Sequence, residues 1–270
     1  MNLIETAIAA VVSGGKVLSE YEDKVLEAKP KESIRDVVTE ADIAAEKAVL
    51  STISKFYPSD TVLSEESGDI GEKKDEYWIV DALDGTVNFL NGIPTYCVSV
   101  AYWKGNGPVV GAIYNPVAED LYYAELGNGA YLNHKKLGVV DRGLADCVTA
   151  TAFSGKAYCQ KDRELEFKAF GELNDTSQGS LRTGSASMNL GYVAEGKIGL
   201  AVGKANKLWD VAAGILIAQE AGASVEFQII GDSGHLVTYV IGTESAHQQY
   251  RERIGLMHLG LTSDQSKMTR

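Results

Sequence analysis

The chain has 270 residues, 45% of them hydrophobic, and 37 acidic against 25 basic side chains give a net charge of −12. That length can bury a sizeable core. The negative balance is a poor electrostatic footprint for a nucleic-acid binder, and it repels phosphate unless bound cations reverse the local sign. No apolar run approaches the roughly 18 residues that span a bilayer, and Met1-Asn2-Leu3-Ile4-Glu5 lacks the basic start of a signal peptide. The cysteines Cys97, Cys147 and Cys159 are widely spaced with no C-x-x-C, and the four histidines form no H-E-x-x-H. A soluble, cytoplasmic protein without a disulfide framework or zinc site is expected.

Apolar residues at Ile4, Ile8, Val11, Val12, Val17 and Leu18 recur at helical spacing. They predict a long helix over 3–27, with Gly14-Gly15 as a weak point. Residues 29–33, charged and broken by Pro30, read as a loop. A short strand at 36–39 leads to Thr39 as N-cap of a helix over 40–56. Glu40 and Asp42 fall in its first turn, where acids complement the helix dipole. A strand at 61–63 ends at Ser64-Glu65-Glu66-Ser67-Gly68, read as a loop, and residues 69–76 are polar.

Residues 77–80 read as a buried strand that runs into Asp81-Ala82-Leu83-Asp84-Gly85-Thr86. Two carboxylates three residues apart flank a backbone carbonyl, with amides behind them. Hard oxygen ligands of this kind suit Mg²⁺, and exposed amides suit an anion. Taken alone, D-x-x-D-G marks an ordinary turn more often than a metal site.

A turn or helix-like segment reaches Gly92-Ile93-Pro94, and strands at 96–103, 109–114 and 121–125 suggest an antiparallel meander. Gly127-Asn128-Gly129 is a hairpin-type turn. A composition shift at 138–146 divides an N-terminal metal-binding lobe, 1–142, from a C-terminal substrate-binding lobe, 143–270. Beyond it come a strand at 148–153 and an exposed helix at 161–172. Gly184-Ser185-Ala186-Ser187 opens a further helix that runs to about residue 195, a second candidate anion-binding terminus. A strand at 198–202 precedes an apolar helix that Trp209-Asp210 starts and Gly222 caps. Strands at 224–228 and 236–241, a helix at 244–254 and a frayed tail complete the chain.

Glu65-Glu66-Ser67, then Trp78-Ile79-Val80-Asp81-Ala82-Leu83-Asp84-Gly85-Thr86-Val87-Asn88-Phe89, then Trp209-Asp210-Val211-Ala212-Ala213-Gly214 stand in that order. They resemble the signatures of the inositol monophosphatase superfamily, and Val38-Thr39-Glu40-Ala41-Asp42 and Gly184-Ser185-Ala186 match further motifs. The resemblance implies a layered α-β-α-β-α sugar-phosphatase fold of the α/β (α+β) class. Its N-terminal lobe would hold an antiparallel sheet and its C-terminal lobe a mixed one. The resemblance further implies a homodimer and a magnesium-dependent, lithium-sensitive phosphomonoesterase with two or three ions per site.

Carried over residue by residue, it implies that Glu65, Asp81, the carbonyl of Leu83, Asp84 and Asp210 hold the metals. Asp42, Thr86 and Glu65 take the catalytic roles, with Asp42 and Thr86 orienting water. The amides of Gly85 and Thr86 receive phosphate oxygens. Substrate contacts fall on Asp84, Arg182, Gly184, Ser185, Ala186, Lys204, Lys207 and Asp210. Lys31 lies near the lysine of the family's mobile loop and could order a third metal, with Lys29 and Arg35 as close alternatives. The chemistry agrees: clustered carboxylates raise one another's pKa unless cations offset them, and paired metals clamp an in-line displacement at phosphorus.

Two positions depart from the pattern. Ala82 stands where a proline is usual, which removes no ligand. Gly203 stands seven residues before Asp210, where inositol-preferring animal members carry a glutamate that bonds sugar hydroxyls. Lys204 and Lys207 suit a substrate with a second phosphate, such as fructose 1,6-bisphosphate, or else form a solvated turn. Arg182 before the Gly-Ser-Ala turn matches archaeal-type members that accept both substrates. The expected partner is a small phosphate ester, with no nucleic-acid polymer and no membrane. One rival is a 3′(2′),5′-bisphosphate nucleotidase, whose usual D-G-T-K-E-F differs from Thr86-Val87-Asn88-Phe89. A rival of another class is a catalytically silent metal- or phosphate-binding regulator, which would be expected to have lost Thr86, Asp42 or a metal acid.

Overall fold

The computed structural model describes residues 1–22, 24, 27–33, 36–72, 74–153, 160–231 and 234–255, without the side chains of 30–33, 36 and 160–162. Cys159, Arg35, the side chain of Lys31 and the polar tail lie outside the described residues.

Helix α1 (Leu3–Tyr21) opens on a capping box. Asn2 Oδ1 accepts the Glu5 amide at 2.9 Å, and the Glu5 carboxylate accepts the Asn2 amide at 3.1 Å. Gly14 and Gly15 do not interrupt it. Both are buried, and a Cβ on Gly14 would stand 2.8 Å from the Val49 side chain, while one on Gly15 would run into the Tyr114 ring. The pair allows α1 to sit close on α2 (Glu40–Phe56) and on the sheet beneath. Between the helices, residues 29–33, read as a loop, instead form β1 (Lys29–Ser33), which pairs antiparallel with the expected strand, β2 (Asp36–Val38). Pro30 is tolerated there because it stands on an edge.

The first sheet collects β3 (Thr61–Ser64), β4 (Gly68–Ile70), β5 (Glu76–Asp84), β6 (Cys97–Lys104), β7 (Gly107–Asn115), β8 (Asp120–Glu125), β9 (Ala130–Leu132) and β10 (Lys135–Lys136), with the short α3 (Thr86–Leu90) after β5. Its order is β10-β9-β8-β7-β6-β5-β3-β4. The meander is antiparallel as expected, with one parallel pair, β3 beside β5. That pair sets Ser64, the end of β3, level with Val80, one residue before Asp81.

The second sheet contains β11 (Thr149–Ala152), β12 (Ser180–Leu181), β13 (Leu200–Lys207), β14 (Ser224–Ile230) and β15 (Leu236–Gly242) in the order β12-β11-β13-β15-β14. It is mixed, because β11 runs parallel to β12 and β13 while β15 runs antiparallel to β13 and β14. Four helices accompany it: α4 (Gln160–Thr176), α5 (Ala186–Glu195), α6 (Leu208–Glu220) and α7 (Glu244–Arg253).

Strand alternation builds the layers. Trp78 and Val80 of β5 face α1 and α2, packing with Val11, Leu18, Val49 and Ile53. Ile79 faces the other way, into a core shared with α5, α6 and the inner residues Ala201, Tyr239 and Ile241 of the second sheet. Leu200, Val202 and Val240 point outward to Leu173 of α4 and Tyr250 of α7. The order is therefore helix, sheet, helix, sheet, helix. Helix α6 lies between the two sheets, which is why its middle, Val211 to Ala218, is apolar and buried throughout.

Candidate active site

Acids from three separate elements meet at the end of β5. Carboxylate oxygens of Glu65, Asp81 and Asp210 all lie within 4.8 Å of one another. Glu65 sits in the turn after β3, held by its own amide on the Val80 carbonyl at 3.2 Å, a consequence of the parallel β3–β5 pair. Asp81 is on β5, and Asp210 occupies the first turn of α6, where its carboxylate accepts the Lys207 amide at 3.3 Å.

Between Asp81 and Asp84 the sheet carries a bulge. Asp81 pairs with Ser99 and Asp84 with Cys97, so three steps on β5 oppose two on β6. The bulge turns the chain so that Asp81 Oδ1 accepts the Leu83 amide at 2.9 Å. Ala82 sits inside this bulge, buried.

Asp84 is near the three converging acids, and its charge acts on Asp81 and Asp210, yet it is not one of the group within 4.8 Å. Its Oδ2 accepts the Ser185 hydroxyl and the Ser187 amide, both at 2.7 Å, from the start of α5. Ser187 donates its own hydroxyl to the Asp210 carbonyl at 2.6 Å. Ser185 is the α5 N-cap, and Ala186, the first residue of that helix, is buried beside it.

Burial drives Asp81 and Asp210 well above the ordinary carboxylate range, and the neighbouring acids push them higher. Asp84 is raised to about 6 by burial, held back by its Ser185 and Ser187 hydrogen bonds. Such a concentration of buried negative charge is tolerable only when protonated or neutralised by cations.

Asp42 and Thr86 meet as expected. The Thr86 hydroxyl oxygen lies 2.9 Å from Asp42 Oδ1 and 3.1 Å from the Leu83 carbonyl. The other Asp42 oxygen closes the α2 capping box, accepting the Thr39 amide at 2.8 Å and its hydroxyl at 2.5 Å. Gly85 before Thr86 has φ +101°, and a Cβ there would stand 3.0 Å from the Thr95 carbonyl. Gly184, at φ +90°, has the same need, because its Cβ would lie 2.8 Å from the Asn88 amide group. That amide spans the site, donating to the Thr95 carbonyl at 2.6 Å and to the Thr183 carbonyl at 2.8 Å.

The remaining residues named from the sequence are more dispersed. The Lys207 ammonium lies 5.5 Å from the Trp209 ring centroid, and Lys204 is half-buried on β13. Arg182 is exposed and sits 6.0 Å from the Phe153 ring centroid. The backbone of Lys31 lies in β1. At Gly203 a Cβ would overlap Asn206 Oδ1 and the Tyr239 ring, so the space a side chain would take is already filled.

Sequence reasoning passed over Glu46, Ser187 and Asn88. A signal for Glu46 existed: Asp42 and Glu46 are four residues apart on a helix whose buried face is Ala41, Ala45, Val49 and Ile53. A second acid beside that stripe is unusual enough to mark. Ser187 and Asn88 act through contacts 103 and 95 residues away, for which no local pattern exists.

Hard oxygen donors converging on a layered α/β scaffold define a site that can hold a divalent cation. Residues 1–249 match the model of the inositol monophosphatase family, and the chain belongs to that family. It is 37% identical to the Nus factor SuhB of Haemophilus influenzae over 83% of this chain and 84% of that one. It is 32% identical to the fructose-1,6-bisphosphatase/inositol-1-monophosphatase of Aquifex aeolicus over 90% of this chain and 92% of that one. Among solved structures, the extragenic suppressor protein suhB of Bartonella henselae superposes with a TM-score of 0.83 at 32% identity, covering 93% of this chain and 98% of that one. No helix among the described residues is long and apolar enough to cross a membrane.

Proposed function

We propose that the chain is a magnesium-dependent phosphomonoesterase acting on a sugar or polyol phosphate. The observation that carries this reading is the convergence of Glu65, Asp81 and Asp210 within 4.8 Å, beside the hydrogen-bonded pair Asp42 and Thr86. The donor set fits the metal. Every group is an oxygen, and the clustered acids, buried at Asp81 and half-buried at Glu65 and Asp210, share a need for positive charge. Glu65, Asp81, the Leu83 carbonyl, Asp84 and Asp210 would hold two or three ions. When bound, they supply the positive charge that offsets the carboxylates and polarises the phosphate ester.

The chain's own residues do the rest. A water reaching Thr86 Oγ1 gives its proton to that hydroxyl, whose own proton has Asp42 Oδ1 as acceptor 2.9 Å away. The amides of Gly85 and Thr86 receive the phosphate oxygens. Attack is direct, with no phosphoenzyme. The N-terminal lobe, 1–142, supplies the Asp42–Thr86 pair and most acids, and the C-terminal lobe, 143–270, supplies Asp210 and the substrate wall. On that wall Arg182, Lys204 and Lys207 offer positive charge, Gly184 and Ser185 shape the floor, and Gly203 offers no acid for ring hydroxyls. This favours a substrate with a second phosphate.

Phosphate release from inositol 1-phosphate, fructose 1,6-bisphosphate and adenosine 3′,5′-bisphosphate, with and without Mg²⁺, tests the reading. Magnesium-dependent turnover of either sugar substrate supports it, and preference for the nucleotide moves the chain to the nucleotidase branch. A second reading is favoured by the relatives named as Nus factors: a binding role, beside or in place of catalysis. Absence of turnover on all three substrates, with metal binding intact, would favour it.

A further inference from the structure

Glu46 lies on α2 one turn beyond Asp42 and is 4% exposed. Its carboxylate accepts three neutral donors, from the end of β3 and from the turn that carries Glu65. Oε2 accepts the Ser64 hydroxyl and, at 3.0 Å, the Glu66 amide, and Oε1 accepts the Ser67 hydroxyl. With the Glu65 amide on the Val80 carbonyl, each of the residues 64–67 has a fixed point. A buried carboxylate is costly to desolvate unless its oxygens are satisfied, and charge-assisted hydrogen bonds are the strong ones. Exchanging or losing these partners therefore deforms the turn.

We propose that Glu46 is a positioning residue for Glu65 and, through it, for the metal centre, an inference that rests on the acid-cluster reading above. Glu65 differs from Asp81 and Asp210 in standing on a turn, without a strand or helix of its own. Glu46 gives that turn a rigid reference. Residues four apart on a helix share a face, so α2 presents Asp42 to Thr86 and Glu46 to the 64–67 turn from one surface, backed by Ala45, Val49 and Ile53 in the core. One helix thereby sets the spacing between the water-orienting pair and the acid that comes from outside β5 and α6.

The test is Mn²⁺ binding to the full chain without substrate, followed by the loss of the free Mn²⁺ electron paramagnetic resonance signal, with circular dichroism to verify folding. Glu46→Gln is expected to weaken Mn²⁺ binding by up to about 10-fold, the low end for an outer partner, because it holds the neighbours of Glu65 on either side. The Mn²⁺ concentration for half-maximal turnover should rise in step. Ser67→Ala, which keeps the carboxylate and removes one donor, should weaken binding in the same direction by a smaller factor, and it answers the question if Glu46→Gln does not fold. Glu65→Gln serves as the reference. Should it bind Mn²⁺ like the parent, the acid-cluster reading itself fails. Should it bind weakly while Glu46→Gln and Ser67→Ala bind as the parent does, the positioning role is overturned and the cluster stands. A reduced folded fraction with unchanged Mn²⁺ affinity also overturns it, because a merely structural residue would give that result.

Discussion

Asp42 divides its carboxylate between two tasks: one oxygen closes the α2 cap on Thr39, and the other lies 2.9 Å from the Thr86 hydroxyl. An acid in the first turn of a helix is ordinarily explained by the dipole alone. Here the cap fixes the carboxylate so that its second oxygen is presented to Thr86, and the local and catalytic explanations are the same geometry.

Thr86→Val removes the hydroxyl while keeping the shape, and Asp42→Asn removes the proton acceptor. Each should lower kcat by about 10²–10⁴-fold, the range for a lost general acid–base contribution. Metal affinity should change little in Thr86→Val. Steady-state kinetics together with Mn²⁺ titration separates the two effects. Asp42→Asn should also cost about 1 kcal/mol of stability through the weakened cap, read from chemical denaturation.

Ser185→Ala removes a hydrogen bond that favours ionised Asp84. The Asp84 pKa, already about 6 because of burial, should rise further, so the acidic limb of the activity profile moves to higher pH. A pH–rate series at subsaturating Mg²⁺, where protons and the cation compete for the carboxylate, checks this. An unmoved limb would mean that Asp84 does not set it.

Metal-free protein should lose stability as pH rises. A carboxyl whose folded pKa is raised keeps its proton where the unfolded chain has already released it. The stabilisation is present in full below about pH 4 and is lost on passing through about 6 for Asp84, and at higher pH for Asp81 and Asp210. Divalent cations compete with those protons. Added Mg²⁺ should therefore raise the melting temperature more at pH 8 than at pH 5, as differential scanning calorimetry would show.

Gly184→Ala should destabilise by about 1–3 kcal/mol, because the position has φ +90° and a Cβ would collide with the Asn88 amide. Loss of the Asn88 bonds to Thr95 and Thr183 would accompany it, visible as a lower denaturation midpoint and a weakened Asp84–Ser185 contact.

The parts of the molecule legible in the sequence were those whose chemistry is local. Asp81 to Thr86 are consecutive, Thr39 and Asp42 are one helical turn apart, and Trp209-Asp210 begins the helix it names, so each could be read without knowing the fold. Pairing at a distance was not legible. Strand β1 was hidden by Pro30 and by charges that suit an exposed edge, although its partner β2 was legible, and β12 is two residues long. Gly14-Gly15 looked like a weakness because their reason lies in Val49 and Tyr114, far along the chain. Glu46 could be marked as an acid beside a buried stripe, but not what it holds: its partners are 18 to 21 residues away, at the end of β3 and on the turn after it.

The Asp84–Ser185, Asp84–Ser187 and Ser187–Asp210 bonds join the end of β5 to α5 and α6. The seam between the two halves is fastened by the groups assigned to chemistry. Ser187 reaches Asp210 through its main-chain carbonyl, so a descendant that shed Asp84 would lose two of these three fastenings and keep the third. Cohesion alone is therefore a reason to keep Asp84, whether or not the chain turns over a substrate.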